Sequence, residues 1–166
     1  MGSAARTVGT SKDMTPEQAR AAHLAYDHLH DYVCSGGAAS VPSDAELMEL
    51  IFGNLLAAET LVGILARLRG KTFDQVLDGL PERDEGYPPG RAGGFLWDTS
   101  VYRLRFLHSH SWLVSTDRLP VYELPAAFRG SFNLVVSSVA EVAAETKTTA
   151  RQLAGVLRDA AVAEMR

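Results

Sequence analysis

The chain has 166 residues, 46% of them hydrophobic, and a formal net charge of −4. One domain with a sizeable core is the default at this length, and so apolar a composition excludes disorder along the whole chain. The acidic balance without basic blocks argues against nucleic acid as a partner, and the single cysteine excludes an internal disulfide.

The N-terminus lacks an apolar segment of the secretory type, and Asn54 and Glu59 interrupt the longest apolar stretch. These features argue against export and against a membrane-spanning helix, so we expect a soluble cytoplasmic protein. The lone Cys34 fits a reducing compartment. Arginine outnumbers lysine and alanine is abundant, which indicates a GC-rich bacterial genome.

Residues 1–13 are small and polar, and we predict a flexible leader there, followed by a single helical domain over residues 14–166. Thr15 and Pro16 form a typical helix start, with threonine as N-cap and proline at the first helical position. The first helix is therefore predicted to run from Pro16 to about Cys34, where a glycine-rich loop follows.

The second predicted helix spans residues 43–70 and is apolar around most of its circumference, which is typical of the centre of a bundle. Ser43 and Glu46 form a capping box at its start, and Gly70 closes it. Helical periodicity assigns Gly53 to a narrow polar strip. Asn54 breaks the apolar face, and we interpret it as a residue that hydrogen-bonds a neighbouring helix.

The part of the chain after this helix is less regular. Thr72 is predicted to cap a short helix over residues 73–80, and residues 81–94 contain three prolines and four glycines, which indicates a long loop. Residues 95–115 fit a helical face but also alternate like a strand, so we favour a helix and keep a hairpin as the alternative. Pro120 and Pro125 predict an extended linker.

A helical pattern returns from about Ser131 and continues to about Met165, as one long helix or as two nearly collinear ones. Its stripe of alanine and valine predicts close contact with a partner helix in the same chain or in a second copy. The expected fold is thus all-α, a four- to five-helix bundle with one irregular segment over residues 81–124 that can include a short hairpin.

The first helix presents His23, Asp27, His30 and Cys34 at spacings of four, three and four residues, which is one helical face. Imidazole, carboxylate and thiolate groups bind transition metals, so His23, Asp27 and His30 are candidate ligands of a divalent transition metal. The alternative interpretation is an ordinary solvated face with a half-buried thiol at the helix end.

Glu59 lies among apolar residues of the second helix, which suits a general acid or base. His108 and His110 are candidate catalytic partners from the uncertain segment. The alternative for Glu59 is a boundary residue that reaches solvent or pairs with an arginine.

Aromatic residues are crowded into residues 87–122, with arginines between them. Trp97, Tyr102, Arg105 and Trp112 are therefore candidate ligand-binding residues, and the predicted pocket lies where residues 86–112 cross the central helix. The alternative is that these rings build their own part of the core.

Three functions follow from these features. The first is the binding of a small molecule or metal ion in that pocket, with enzymatic activity left open. The second is a non-enzymatic interaction or regulatory module that forms a homo-oligomer through its C-terminal helix. The third is carried by Arg103 and His108, whose Arg-x4-His spacing resembles that of HEPN ribonucleases. This resemblance implies an all-helical dimer that cleaves RNA.

Overall fold

The computed structural model describes residues 15–37, 42–85, 87, 97–110 and 121–164. Regular structure in these ranges is entirely helical, as the sequence predicts. Six α-helices follow one another, with a 3-10 turn at Val121–Glu123 before the fifth: α1 (Pro16–Cys34), α2 (Asp44–Arg69), α3 (Phe73–Asp78), α4 (Trp97–His110), α5 (Leu124–Thr146) and α6 (Ala150–Glu164).

Local sequence signals set the ends of the first three helices. Thr15, Ser43 and Thr72 each occupy the N-cap, and each forms a capping box with the glutamine or glutamate three residues later. Gly70 ends α2 in the left-handed conformation, with φ of 64°. These predicted boundaries are confirmed, although α3 ends at Asp78, two residues before the predicted position, because Gly79 caps it.

Helix α2 is the centre of the bundle and packs against α1 on one side and α5 on the other. The contact with α1 is closest at Gly53, where an added Cβ would lie 2.1 Å from the carbonyl oxygen of Ala21. The assignment of Gly53 to a polar strip was therefore wrong, because the residue is buried at a helix crossing that only glycine permits.

A polar contact joins α2 to α5 inside the core. Asn54 is fully buried, and its Nδ2 donates a hydrogen bond of 3.2 Å to Oγ of Ser131. This contact confirms the interpretation of Asn54 as a residue that joins two helices. A hydrogen bond at one position along two packed helices also fixes their relative register, because any slip would leave the amide of Asn54 buried without this acceptor.

The segment that the sequence left open forms a helix at Trp97–His110, so the helix is confirmed over the hairpin there. The remainder of the predicted 95–115 range lies outside the described residues. The expected extended linker up to Pro125 was wrong, because α5 begins at Leu124 with Pro125 in its first turn. Proline fits there because the first backbone N–H groups of a helix have no intrahelical acceptor.

Helices α5 and α6 are separate. Lys147 ends α5 in the left-handed conformation, and the N–H of Thr148 donates to the carbonyl oxygen of Ala143, as in a Schellman cap. Helix α6 packs on α1 of the same chain, and Ala154 and Ala161 are buried there. Within the predicted stripe, Val139 and Ala143 are buried, whereas Ala160 is exposed. The predicted homo-oligomer through this part of the chain stays a prediction.

Side chains of α5 also hold the connection that leaves α3. Ser137 donates to the carbonyl oxygen of residue 81 at 2.7 Å, and Asn133 accepts from the N–H of residue 85 at 2.9 Å. Arg129 binds Asp84 through two hydrogen bonds of 2.9 and 2.7 Å. Because these three α5 residues are spaced by four, they lie on one face of α5, and that face holds residues 81–85.

In the described part of the chain, one helix is long and apolar enough to cross a membrane by composition, namely Ala45–Arg69 in α2. Its most apolar window has a mean hydropathy of 1.6 and is 61% buried inside the bundle. The core helix of a soluble protein has the same properties.

Candidate functional site

Glu59 of α2 and His108 in the last turn of α4 contact each other. Nδ1 of His108 lies 3.0 Å from Oε2 of Glu59. The carboxylate side chain is 11% exposed, whereas the imidazole is 44% exposed. Oε1 of Glu59 is buried, and it has no hydrogen-bond partner among the described residues. Residues 86–112 and the central helix thus approach each other, as predicted. The contact described for Glu59 is with His108 and not with an arginine, which was the alternative.

This contact determines what the imidazole can do. A carboxylate accepts hydrogen bonds and donates none when it is ionised, so Nδ1 of His108 carries the proton that is shared with Glu59. The lone pair of the neutral ring then lies on Nε2. A carboxylate, an oriented imidazole and an accessible second nitrogen are the parts of a general base.

Phe73 completes the support of His108. Its ring lies parallel to the imidazole, with 3.7 Å between centroids and an angle of 4° between planes. Glu59 therefore fixes the edge of the imidazole, and Phe73 covers one of its faces. The sequence analysis did not select Phe73, because it was interpreted only as the first residue of a short helix. The one signal available in the sequence was a large aromatic side chain at the start of that helix, where an apolar residue is not required.

Arg105, a predicted ligand-binding residue, is engaged by carboxylates of α3. Its Nε donates to Asp74 at 3.2 Å, and its Nη2 donates to Asp78. The hydrogen bond to Asp74, followed by the contact with Asp78, raises the pKa of the guanidinium. An anionic ligand at Arg105 would have to displace two carboxylates. The residue instead holds α3 against α4 and so keeps Phe73 on His108.

The other predicted ligand-binding residues do not join this pair. Trp97 is buried in the core, and it lies eleven residues from His108, or about 16 Å along the helix axis. Tyr102 is 63% exposed on another face of α4. Trp112 lies outside the described residues, and so does the side chain of His110. Of the four predicted ligand-binding residues, Arg105 is the one that described contacts place near His108.

Two of the three predicted metal ligands of α1, His30 and Asp27, lie beside Arg158 of α6. Nη1 of Arg158 is 3.0 Å from Nδ1 of His30 and 4.0 Å from Oδ1 of Asp27. Nε2 of His30 is 3.5 Å from Sγ of Cys34. A guanidinium therefore already contacts two of the three proposed ligands, and His23 has no described contact with either.

The described residues contain no group of three or more histidine, cysteine, aspartate or glutamate side chains arranged to hold a metal ion. The structure thus does not bring His23, Asp27 and His30 together as a ligand set. The metal site stays a prediction of the sequence alone.

A second polar cluster surrounds His28, which sequence reasoning did not select. Its Nε2 lies 2.9 Å from the hydroxyl of Tyr87, and its Nδ1 is buried without a partner among the described residues. The rings of Phe128 and Phe132 lie edge-on to it, at centroid distances of 5.6 and 5.4 Å. Burial lowers the pKa of His28, although nearby carboxylates, Asp31 foremost, oppose the shift.

A surface pocket of about 200 Å³ opens beside this histidine. Its lining combines an apolar floor with three carboxylates, and consists of Leu24, Asp27, His28, Asp31, Pro42, Glu46 and Leu50. The hydroxyl of Tyr32 donates to Glu85 at 3.0 Å on the same side of α1. Burial, and then this hydrogen bond, raise the pKa of Tyr32 to about 12.

The chain matches no family model, no curated protein and no solved structure.

Proposed function

We propose that this protein binds a small molecule where α4 packs against α2, with His108 as the proton acceptor and Glu59 as the residue that orients its ring. The observation that carries the proposal is the 3.0 Å contact between Nδ1 of His108 and a carboxylate that is only 11% exposed. Proton abstraction from a hydroxyl or amine of the bound molecule is the chemistry that this pair supports.

A purely structural ion pair would have different properties. A contact that only tethers α4 to α2 needs no accessible imidazole, and it would favour a carboxylate with both oxygens satisfied. Here the ring is 44% exposed and Oε1 of Glu59 is buried without a partner among the described residues. A buried polar atom left unsatisfied needs an explanation, and a catalytic role is one of those that native proteins provide.

The test uses p-nitrophenyl acetate, a probe of reactive imidazoles. Nε2 of His108 would accept a proton from a water molecule as its oxygen attacks the carbonyl carbon, p-nitrophenolate would leave with acetate as the other product, and the imidazolium would return the proton to solvent. We expect the wild-type protein to release p-nitrophenolate about tenfold faster than His108→Gln, with Glu59→Gln between the two. The release is followed by absorbance at about pH 7.

His23→Gln is the matched control, because His23 is a histidine of α1 that does not contact the pair. Its rate should equal that of the wild type. Equal rates for the wild type and His108→Gln would contradict the proposal, since the activated imidazole would then be absent.

The location of the protein and two alternative functions are further proposals. We place the protein in the cytoplasm on the basis of its sequence. The ribonuclease and the homo-oligomeric interaction module remain alternatives, and no contact of the described residues favours either. Arg103, the partner of His108 in the ribonuclease hypothesis, lies 3.8 Å from Glu123, whereas His108 binds Glu59.

A further inference from the structure

The ionised side chains around His108 are mostly acidic. Glu59 contacts the imidazole directly, and Asp74 and Asp78 of α3 bind Arg105, which lies one helical turn before His108 on α4. Three carboxylates and one guanidinium thus lie near His108. The two carboxylates that bind Arg105 together carry more charge than its guanidinium. The summed charge of these four side chains is negative, which disfavours an approaching anion.

The hydrogen-bonding capacity of the site points in the same direction. Because Nδ1 of His108 donates to Glu59, the neutral ring offers Nε2 as an acceptor. Oε1 of Glu59 is a second acceptor without a described partner. A ligand that supplied only acceptors, such as a carboxylate or a phosphate, would find no donor on the neutral ring, and Arg105 already binds two carboxylates.

We infer that the His108 site takes an uncharged or cationic ligand that donates a hydrogen bond, such as an alcohol, amine or amidine, and that it discriminates against anions. This inference rests on the proposed function, because it specifies the ligand class of the same site. It also reassigns Arg105 from a binding residue for anions to a residue that positions α3 and Phe73.

Three planar probes of nearly identical shape test the inference, namely benzamidinium, benzamide and benzoate. The readout is the NMR resonance of the imidazole C–H protons of His108, assigned by their loss in His108→Gln. We expect benzamidinium and benzamide to shift this resonance at concentrations about tenfold lower than benzoate requires. Reading the shift at His108 separates this site from the acidic pocket beside His28.

Asp78→Asn removes one exposed carboxylate and should narrow the preference for benzamidinium over benzoate. Glu17→Gln is the control, because it makes the same charge change in the first turn of α1 and should leave the preference unchanged. Two results would overturn the inference. One is benzoate binding at His108 as tightly as benzamidinium, and the other is no shift at His108 with any probe up to about 10 mM.

The two proposals can fail separately. Hydrolysis of p-nitrophenyl acetate that depends on His108, together with tight benzoate binding, would contradict the ligand class and leave the reactive imidazole in place. A preference for benzamidinium at His108 without any hydrolysis that depends on it would contradict the proton acceptor and keep the ligand class.

Discussion

The two oxygens of the Glu59 carboxylate have different surroundings. Oε2 accepts the hydrogen bond of His108, whereas Oε1 is buried and has no partner among the described residues. A buried acceptor that loses its water and gains no donor costs about 1–3 kcal/mol. We therefore expect the buried Oε1 of Glu59 to lower the free energy of unfolding of the protein. An apolar residue would pack better at this position.

The first prediction follows from this cost. We expect Glu59→Met to leave the free energy of unfolding unchanged or to raise it by about 1 kcal/mol, because an apolar side chain of similar length replaces a half-satisfied carboxylate. The same variant should lose the hydrolysis of p-nitrophenyl acetate that depends on His108. Urea unfolding measures the stability, and a loss above about 2 kcal/mol would show that the ion pair is a structural requirement instead.

His28 gives a prediction about pH. Burial lowers its pKa in the folded protein, so the folded state binds fewer protons than the unfolded state as the pH falls below about 6.5. Stability from neutral His28 is therefore present above that pH and is lost as the pH falls toward the depressed pKa. The carboxylates of Asp31, Asp27 and Glu46 moderate the loss, and the hydroxyl of Tyr87 also contacts the ring.

The measurement is urea unfolding of the wild type and of His28→Gln between about pH 5 and pH 7.5. The wild type should lose more stability than the variant over this range. Parallel curves for the two proteins, or an NMR titration of His28 with its midpoint above about 6.5, would contradict the prediction.

At the scale of helices, the crossing of α1 and α2 depends on one residue. A Cβ at Gly53 would lie 2.1 Å from a backbone carbonyl oxygen of α1, which cannot move without shifting the helix. We expect Gly53→Ala to destabilise the protein by about 3 kcal/mol or more, because overpacking here displaces backbone. The measurement is the midpoint of urea unfolding, with the slope checked for two-state behaviour.

Gly63 provides the matched control in the same helix. A Cβ there would meet no atom within 4 Å. Gly63→Ala should raise stability by about 0.5–1 kcal/mol, because alanine is the better helix former. If both substitutions destabilised the protein equally, the contact between Gly53 and α1 would not be the cause, and the prediction would be contradicted.

The short helix α3 links packing to the site. Its capping box at Thr72 and Gln75 fixes its start, and Arg105 of α4 binds two of its carboxylates. These contacts hold Phe73 parallel to the ring of His108. The orientation of the candidate base therefore depends on three helices, and rigid elements position such a group better than loops do.

At the scale of the whole molecule, the sequence predicted those helix ends that depend only on residues close together in the chain. Caps and glycines marked α1 and α2, because the hydrogen bonds that end a helix involve residues three or four positions apart. The start of α5 was missed, because Pro125 is compatible with both a linker and a first helical turn. Tertiary packing of Leu124 and Phe128 decides between them.

The site was predicted in part for the same reason. A glutamate among leucines is visible in the sequence, and His108 was one of several candidate partners, but the sequence did not specify which of them contacts Glu59. The contact of Phe73 with His108, and that of Arg158 with His30, join residues 35 and 128 positions apart. No pattern within one helix specifies which residue of a distant helix will face it.

The pairing of His108 with Glu59 is tested by the protonation state of each ring nitrogen of His108, measured by long-range proton–nitrogen NMR correlation on the full chain. We expect neutral His108 to carry its proton on Nδ1, and Glu59→Gln to shift the population toward the Nε2 form. A proton on Nε2 in the wild-type protein, unchanged by Glu59→Gln, would contradict the pairing on which the proposed site depends.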